Sequence, residues 1–182
     1  MMKKCAVFID GGHVNSILDN LGRIRINYGD FVNNMVQGYD LIRSYYYDCP
    51  PYQSQPPTVE EAEAYRNREK FFHALRKQDR FEIRLGYLAF KGYTQDGKPI
   101  LTQKSTDIRL AVDLVRLSLA RIIDTAFVVA ADGDFSPAVE TAKDVGVSVH
   151  LYHGTPYSQS LWEICDRRTI VDWNLLQDSL LK

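Results

Sequence analysis

Residues 125–154, TAFVVAADGDFSPAVETAKDVGVSVHLYHG, carry the pattern that decides the fold. Ala126 to Ala131 form a continuous apolar run of strand length, and two carboxylates, Asp132 and Asp134, follow with a single glycine between them. Ser136-Pro137 then opens a helix-spaced segment, because serine caps a helix and proline suits its first turn. A second strand-like stretch, VSVHLYHG from Val147 to Gly154, closes the unit. Strand, helix and strand in succession read as a βαβ unit, and where most strands are nearly continuous in apolar residues a mostly parallel sheet covered on both faces is expected.

The flanking chain repeats the theme. Residues 5–9, CAVFI, read as a strand ended by Asp10-Gly11-Gly12, and Val14, Ile17, Leu18 and Leu21 follow at helical spacing. A helix is predicted over Asp30–Gln37 and a strand over Tyr39–Asp48, in which Tyr45, Tyr46 and Tyr47 should alternate between core and surface. The proline-rich stretch 48–58 reads as a loop. Thr58, with Glu61 three residues later, opens a helix to Lys77. Residues 81–90 read as one strand and 91–104 as a hairpin or extended loop around Asp96-Gly97. From Ser105 to Ile123 a helix is predicted with an apolar stripe of Ile108, Ala111, Val112, Val115, Leu119 and Ile122. A short helix near Ser158–Cys165 follows. The prediction is an α/β fold: one three-layer domain over 1–168 with a mostly parallel central sheet. Residues 169–182, with Ile170, Trp173, Leu176 and Leu180 at helix-like spacing, form a tail that packs on the domain or mediates a homodimer.

Composition narrows the function classes. Of 182 residues, 22 are Lys or Arg and 23 are Asp or Glu, so any attraction for polyanions has to be local. The first apolar run meets Asp10 after five residues, too short for a signal-peptide core or a membrane span, which leads us to expect a cytoplasmic protein with no membrane partner. Cys5, Cys49 and Cys165 form no paired motif and suggest neither a disulfide framework nor a thiolate zinc site. No GxGxxG or Walker A motif occurs, which removes support for nucleotide-triphosphate or dinucleotide chemistry.

In an open parallel sheet, ligands bind beyond the carboxyl ends of the strands, where strand order reverses. Asp10 and Asp132 each end a predicted strand, Asp134 lies in the following turn, and Asp107 falls in the first turn of the 105–123 helix. Asp113, six residues on, lies about 240° further round that helix and is read as structural. Taken singly, Asp132 and Asp134 could be capping residues and Asp107 a partner of the helix dipole. Together they form an acidic rim whose mutual repulsion a divalent cation would relieve. Oxygen donors without a His or Cys set point to Mg2+ or Mn2+.

Three segments carry a family resemblance: AVFIDGGHVNSIL (6–18), KSTDIRLAVDLVRLSL (104–119) and TAFVVAADGDFSPAVETAKDVGVSVHLYH (125–153). Their order and content resemble the NYN domain, LabA-like branch, of the PIN-like nuclease superfamily. The resemblance implies a PIN-like, Rossmann-like fold and a metal-dependent ribonuclease activity. It matches Asp10 to the acid after the first strand, Lys104 and Asp107 to a K-x-x-D motif, Asp132 and Asp134 to the paired acids, and Phe135 to the aromatic that follows them. His13 stands where the wider superfamily often has Asn, with Asn15 two residues on, and Ala130-Ala131 replace Ser-Gly. His13 and Asn15 are therefore the candidate substrate contacts at that position.

On this reading Asp10, Asp107, Asp132 and Asp134 bind the metal and are catalytic, and Lys104 neutralises a phosphate oxygen. Arg23, Arg25, Lys91, Tyr93, Lys98 and Arg109 are candidates for gripping single-stranded RNA. Two other classes stay open. One is a non-catalytic nucleic-acid-binding or regulatory module. The other is a small-molecule phosphohydrolase, although the aspartate-nucleophile type needs D-x-D on its first strand and only Asp10 is there.

Overall fold

The computed structural model describes residues 2–97 and 99–181. Six strands, β1 (Lys4–Asp10), β2 (Asp40–Asp48), β3 (Phe81–Leu85), β6 (Thr125–Val129), β7 (Ser148–His153) and β8 (Arg167–Ile170), form one sheet in the order β3-β2-β1-β6-β7-β8. Every neighbouring pair is parallel. Strands β4 (Tyr87–Tyr93) and β5 (Pro99–Lys104) form a separate antiparallel hairpin. The chain is therefore an α/β protein with helices on both faces of a parallel sheet, in three layers.

One face carries α4 (Thr106–Leu119), α5 (Ser136–Asp144) and α6 (Gln159–Ile164), packed on Phe8, Tyr45, Tyr47, Val128 and Leu151. The other carries α1 (Gly11–Asn20), α2 (Tyr28–Met35), α3 (Val59–Arg76) and α7 (Trp173–Leu176), packed on Val7, Ile9, Tyr46 and Val129. The period-two geometry of β2 thus sends Tyr45 and Tyr47 into one core and Tyr46 into the other. All three tyrosines are buried, and none alternates to the surface, because both sheet faces are covered. Tyr46 meets Tyr28 and Phe71 edge-on at centroid distances of 5.3 and 5.6 Å, a geometry the ring quadrupoles favour.

Local sequence signals explain most helix starts. Thr58 Oγ1 accepts from the Glu61 N–H at 3.2 Å and the Glu61 carboxylate accepts from the Thr58 N–H at 3.0 Å, a reciprocal capping box. Asn27 caps α2, so that helix begins at Tyr28 rather than Asp30 and ends at Met35.

Four expectations need correction. Residues 81–90 are two strands: Gly86 divides them, donating its N–H to the Asp48 carbonyl at 2.8 Å, and the chain leaves the main sheet there. A Cβ on Gly86 would sit 2.4 Å from the Lys104 carbonyl, so only glycine lets the hairpin close at its base. The buried face of α4 is Leu110, Asp113, Leu114 and Leu117, whereas Ile108, Val112, Leu119 and Ile122 are exposed. That helix also ends at Leu119, four residues before the expected Ile123. Finally, β8 crosses residue 168, so residues 169 and 170 belong to the sheet and not to a tail. The segment beyond is stitched to the domain through an Ile26–Leu180 bridge, with Asn27 N–H donating to Ser179 O at 2.7 Å. Among the described residues, no helix is long and apolar enough to cross a membrane.

Candidate active site

Strand order reverses between β1 and β6, the two innermost strands, which pair from Cys5–Thr125 to Ile9–Val129. Asp10 ends β1, and Asp132 and Asp134 follow β6, so all three emerge in the crevice where such sheets bind ligands. Asp107, in the first turn of α4, interacts electrostatically with Asp10, Asp132 and Asp134. The rim thus gathers the four acids that the sequence placed at strand ends and a helix start.

Each acid is held by local backbone. Asp10 Oδ1 caps α1, accepting the Gly12 and His13 N–H groups at 2.9 and 3.2 Å. Asp132 Oδ1 accepts the Asp134 N–H at 2.9 Å and starts a 3-10 turn over Gly133–Phe135. Gly133 separates the two acids because a Cβ there would lie 2.6 Å from Ser158 Oγ and 2.9 Å from Ser160 Oγ. Phe135 is buried beneath them as the packing residue.

Electrostatics at the rim favour a cation. Burial raises the Asp10 carboxyl to about 6, with Asp107 and Asp132 adding to the rise against the two backbone hydrogen bonds. Asp107 is raised as well, first by burial and then by Asp132 and Asp134. Among the described residues, no Lys, Arg or His forms an ion pair with any of the four. Nor do any three carboxylate, imidazole or thiolate groups there stand close enough together to enclose an ion. The donor set fits a hard cation that keeps several waters and takes one or two carboxylates, as Mg2+ and Mn2+ do.

The other expected residues are distributed differently. Lys104 is exposed at the end of β5, directly across from Tyr87 and three residues before Asp107. His13 is held inward: its Nε2 accepts the Gly154 N–H at 3.1 Å, and burial, assisted by His153, lowers it to about 4, so it ties α1 to the end of β7 as a neutral ring. Asn15 lines a cavity of about 890 Å³ between α1 and α3, together with Arg25, Arg68, Lys70 and Phe71. Arg109 is exposed, but two residues along α4 from Asp107 is about 200° round the helix, so it leaves by a different face. Lys98 lies outside the described residues.

A family model described as the NYN domain matches residues 4–173. The chain belongs to the NYN domain family. This places it within the PIN-like nuclease superfamily. The NYN domain is similar in fold to VPA0982 of Vibrio parahaemolyticus RIMD 2210633, a protein of unknown function, with a TM-score of 0.69 and 23% identity over 99% of this chain and 97% of that one. UGT73P12 of Glycyrrhiza uralensis aligns with a TM-score of 0.36 and 12% identity over 85% of this chain and 28% of its own. No curated protein matches this chain.

The structure adds one acid that sequence reasoning missed. Asp48 ends β2 beside β1, and its Oδ2 lies 2.9 Å from where a Cβ on Gly11 would stand, next to Asp10. Unlike the other four it is already neutralised, by the Arg68 guanidinium, which also stacks 4.7 Å from the Phe71 centroid. The paired Asp48 is therefore a structural acid at the edge of the rim. Its partner stands 20 residues away on α3, a separation over which no local spacing rule operates. Arg68→Met would leave Asp48 buried and uncompensated. The expected cost is about 2–3 kcal/mol, at or just below the range for breaking a buried pair because Arg68 keeps partial access to water. Urea denaturation of the two proteins measures it.

Proposed function

We propose that this NYN domain, as a member of the LabA-like branch, is a divalent-cation-dependent ribonuclease acting on single-stranded RNA. The observation that carries the reading is the rim itself: four carboxylates facing one crevice, with Asp10 and Asp107 both pushed up by burial and by their acidic neighbours. A bound Mg2+ or Mn2+ would supply a water of lowered pKa and charge stabilisation at the phosphodiester. Asp10 and Asp132, each held by hydrogen bonds from the backbone, present carboxylates at the crevice beside the exposed Asp107 and Asp134. Lys104 contributes a point charge toward a phosphate oxygen.

The β4–β5 hairpin supports a single-stranded substrate. Tyr52 stacks on Phe90 at 6.2 Å and 19°, and Phe90 meets Tyr93 at 5.0 Å, giving an aromatic row whose Phe90 and Tyr93 are exposed, with Lys91 beside them. Stacking on such rings is worth about 1–3 kcal/mol per base. Phe90→Ala combined with Tyr93→Ala should therefore weaken single-stranded RNA binding by roughly tenfold or more, read by fluorescence anisotropy in a cleavage-deficient background.

The test is incubation of the purified protein with labelled single-stranded RNA, single-stranded DNA and a simple phosphomonoester, each with Mn2+ or Mg2+ and with EDTA. Metal-dependent cleavage of RNA is expected. RNA bound but left intact would indicate a non-catalytic binding module, and turnover of the phosphomonoester alone would indicate a small-molecule phosphohydrolase.

A further inference from the structure

The helix α4 has two apolar faces, and the domain uses only one. Leu110, Leu114 and Leu117 face the sheet. On the opposite side Ile108, Val112 and Leu119 are 68%, 56% and 58% exposed, with Val115, half-buried where it also packs against the core, between them and exposed Ile122 just past the helix end. Positions 108, 112, 115 and 119 repeat at intervals of four, three and four, the seam spacing by which one helix packs along another. Single exposed apolar residues need no explanation. A continuous stripe of them on an outer helix marks an interaction surface.

The charges beside the stripe identify the partner. Arg109 and Arg116, seven residues apart and so on one edge of α4, border it on the side of β3, where Arg116 binds Asp113 at 3.0 Å and Arg84 of β3 approaches the same carboxylate at 3.4 Å. Along the other edge lies α5, packed beside α4 over the same sheet face. Its buried residues are Ala138, Val139 and Ala142, and Glu140 and Asp144 are turned outward. An apolar seam with a basic edge on one side and an acidic edge on the other is complementary to itself, as an isologous contact requires.

We propose that α4 pairs with α4 of a second copy of this chain, the helices running parallel about a two-fold axis along the seam. That axis sets the Arg109–Arg116 edge of each copy against Glu140 and Asp144 of the other. A two-fold axis across the helices would set arginine against arginine. The parallel arrangement also turns both acidic rims to the same end of the dimer, since Asp107 begins α4 in each copy. The C-terminal segment, already stitched to its own domain, is not needed for the contact.

Sedimentation equilibrium of the full chain at tens of micromolar tests the proposal. The expected mass is twice the 20.9 kDa of one chain. Val112→Asp with Leu119→Asp should return the mass to one chain with the circular dichroism spectrum and melting temperature kept, because both side chains lie away from the core. Glu140→Arg should weaken the dimer by about tenfold or more, and adding Arg109→Glu should restore it. A single-chain mass for the unaltered protein, or a dimer that survives Val112→Asp with Leu119→Asp, overturns the proposal. Failure of Arg109→Glu to restore the Glu140→Arg dimer overturns the parallel arrangement. None of these readouts depends on nuclease activity.

Discussion

Replacing Asp132 with Asn lowers divalent-cation-dependent RNA cleavage by about 10³-fold and leaves the fold unchanged. Both halves of that expectation follow from the position of the side chain. Asp132 is exposed in the crevice between the ends of β1 and β6, and its Oδ1 caps the turn through the Asp134 N–H. Asparagine keeps an Oδ1 acceptor of the same shape, so the cap survives, as is usual for Asn in place of Asp. What is lost is one negative charge that helps to raise the Asp10 and Asp107 carboxyls. Single-turnover cleavage of labelled RNA reads the rate, and far-ultraviolet circular dichroism with thermal melting checks the fold. A variant that cleaves within a few-fold of the parent would remove Asp132 from the reaction.

The second large effect runs opposite to the usual consequence of altering a site residue. Asp10→Asn should stabilise the metal-free protein at pH 7. The Asp10 carboxyl is raised from 3.8 to about 6 in the folded chain. Between those values the folded state therefore holds a proton that the unfolded state has released, and stability falls as pH rises through the window. Above about pH 6 the full penalty is present, of order 3 kcal/mol at 1.36 kcal/mol per pH unit. Asparagine removes the charge and retains the acceptor for the Gly12 and His13 N–H groups, losing only the carboxylate's attraction to the helix dipole, about 0.5 kcal/mol. The net expectation is a gain of about 2 kcal/mol, or roughly 5 °C in melting temperature for a chain of this size, at pH 7 in EDTA. Below about pH 4 the gain should vanish, because both states of the parent are then protonated. Melting curves of the two proteins at pH 7 and pH 4 measure the difference; equal temperatures at pH 7 would show that Asp10 is not strained by its surroundings.

Legibility in the sequence tracks how local each signal is. Asp10 and Asp132 were readable because continuous apolar runs set the strand ends, and in a parallel sheet those ends define one rim. The α3 cap was readable because both partners lie within four residues. The outward stripe of α4 stood out from the core face because Ile108, Val112, Val115 and Leu119 extend the same four-three spacing as Leu110, Leu114 and Leu117 by one more apolar residue. Periodicity marks apolar faces without saying which one the sheet covers. Strand β8, four residues reading RRTI, is an edge strand with two arginines and no apolar run to announce it. Gly86 looked like a glycine within a strand, and only its approach to Asp48 and Lys104 shows it as the point where the hairpin leaves the sheet. Nor could the inward hydrogen bond of His13 be foreseen, since Gly154, just past the end of β7, lies 141 residues further on and meets it only in the folded chain.

The account rests on the acidic rim being a divalent-cation site, and calorimetric titration of Mn2+ into the full chain near pH 7.5 tests that most directly. Saturable binding is predicted, abolished or sharply weakened by Asp132→Asn. The absence of binding heat in the unaltered protein, or an identical isotherm for Asp132→Asn, would contradict it.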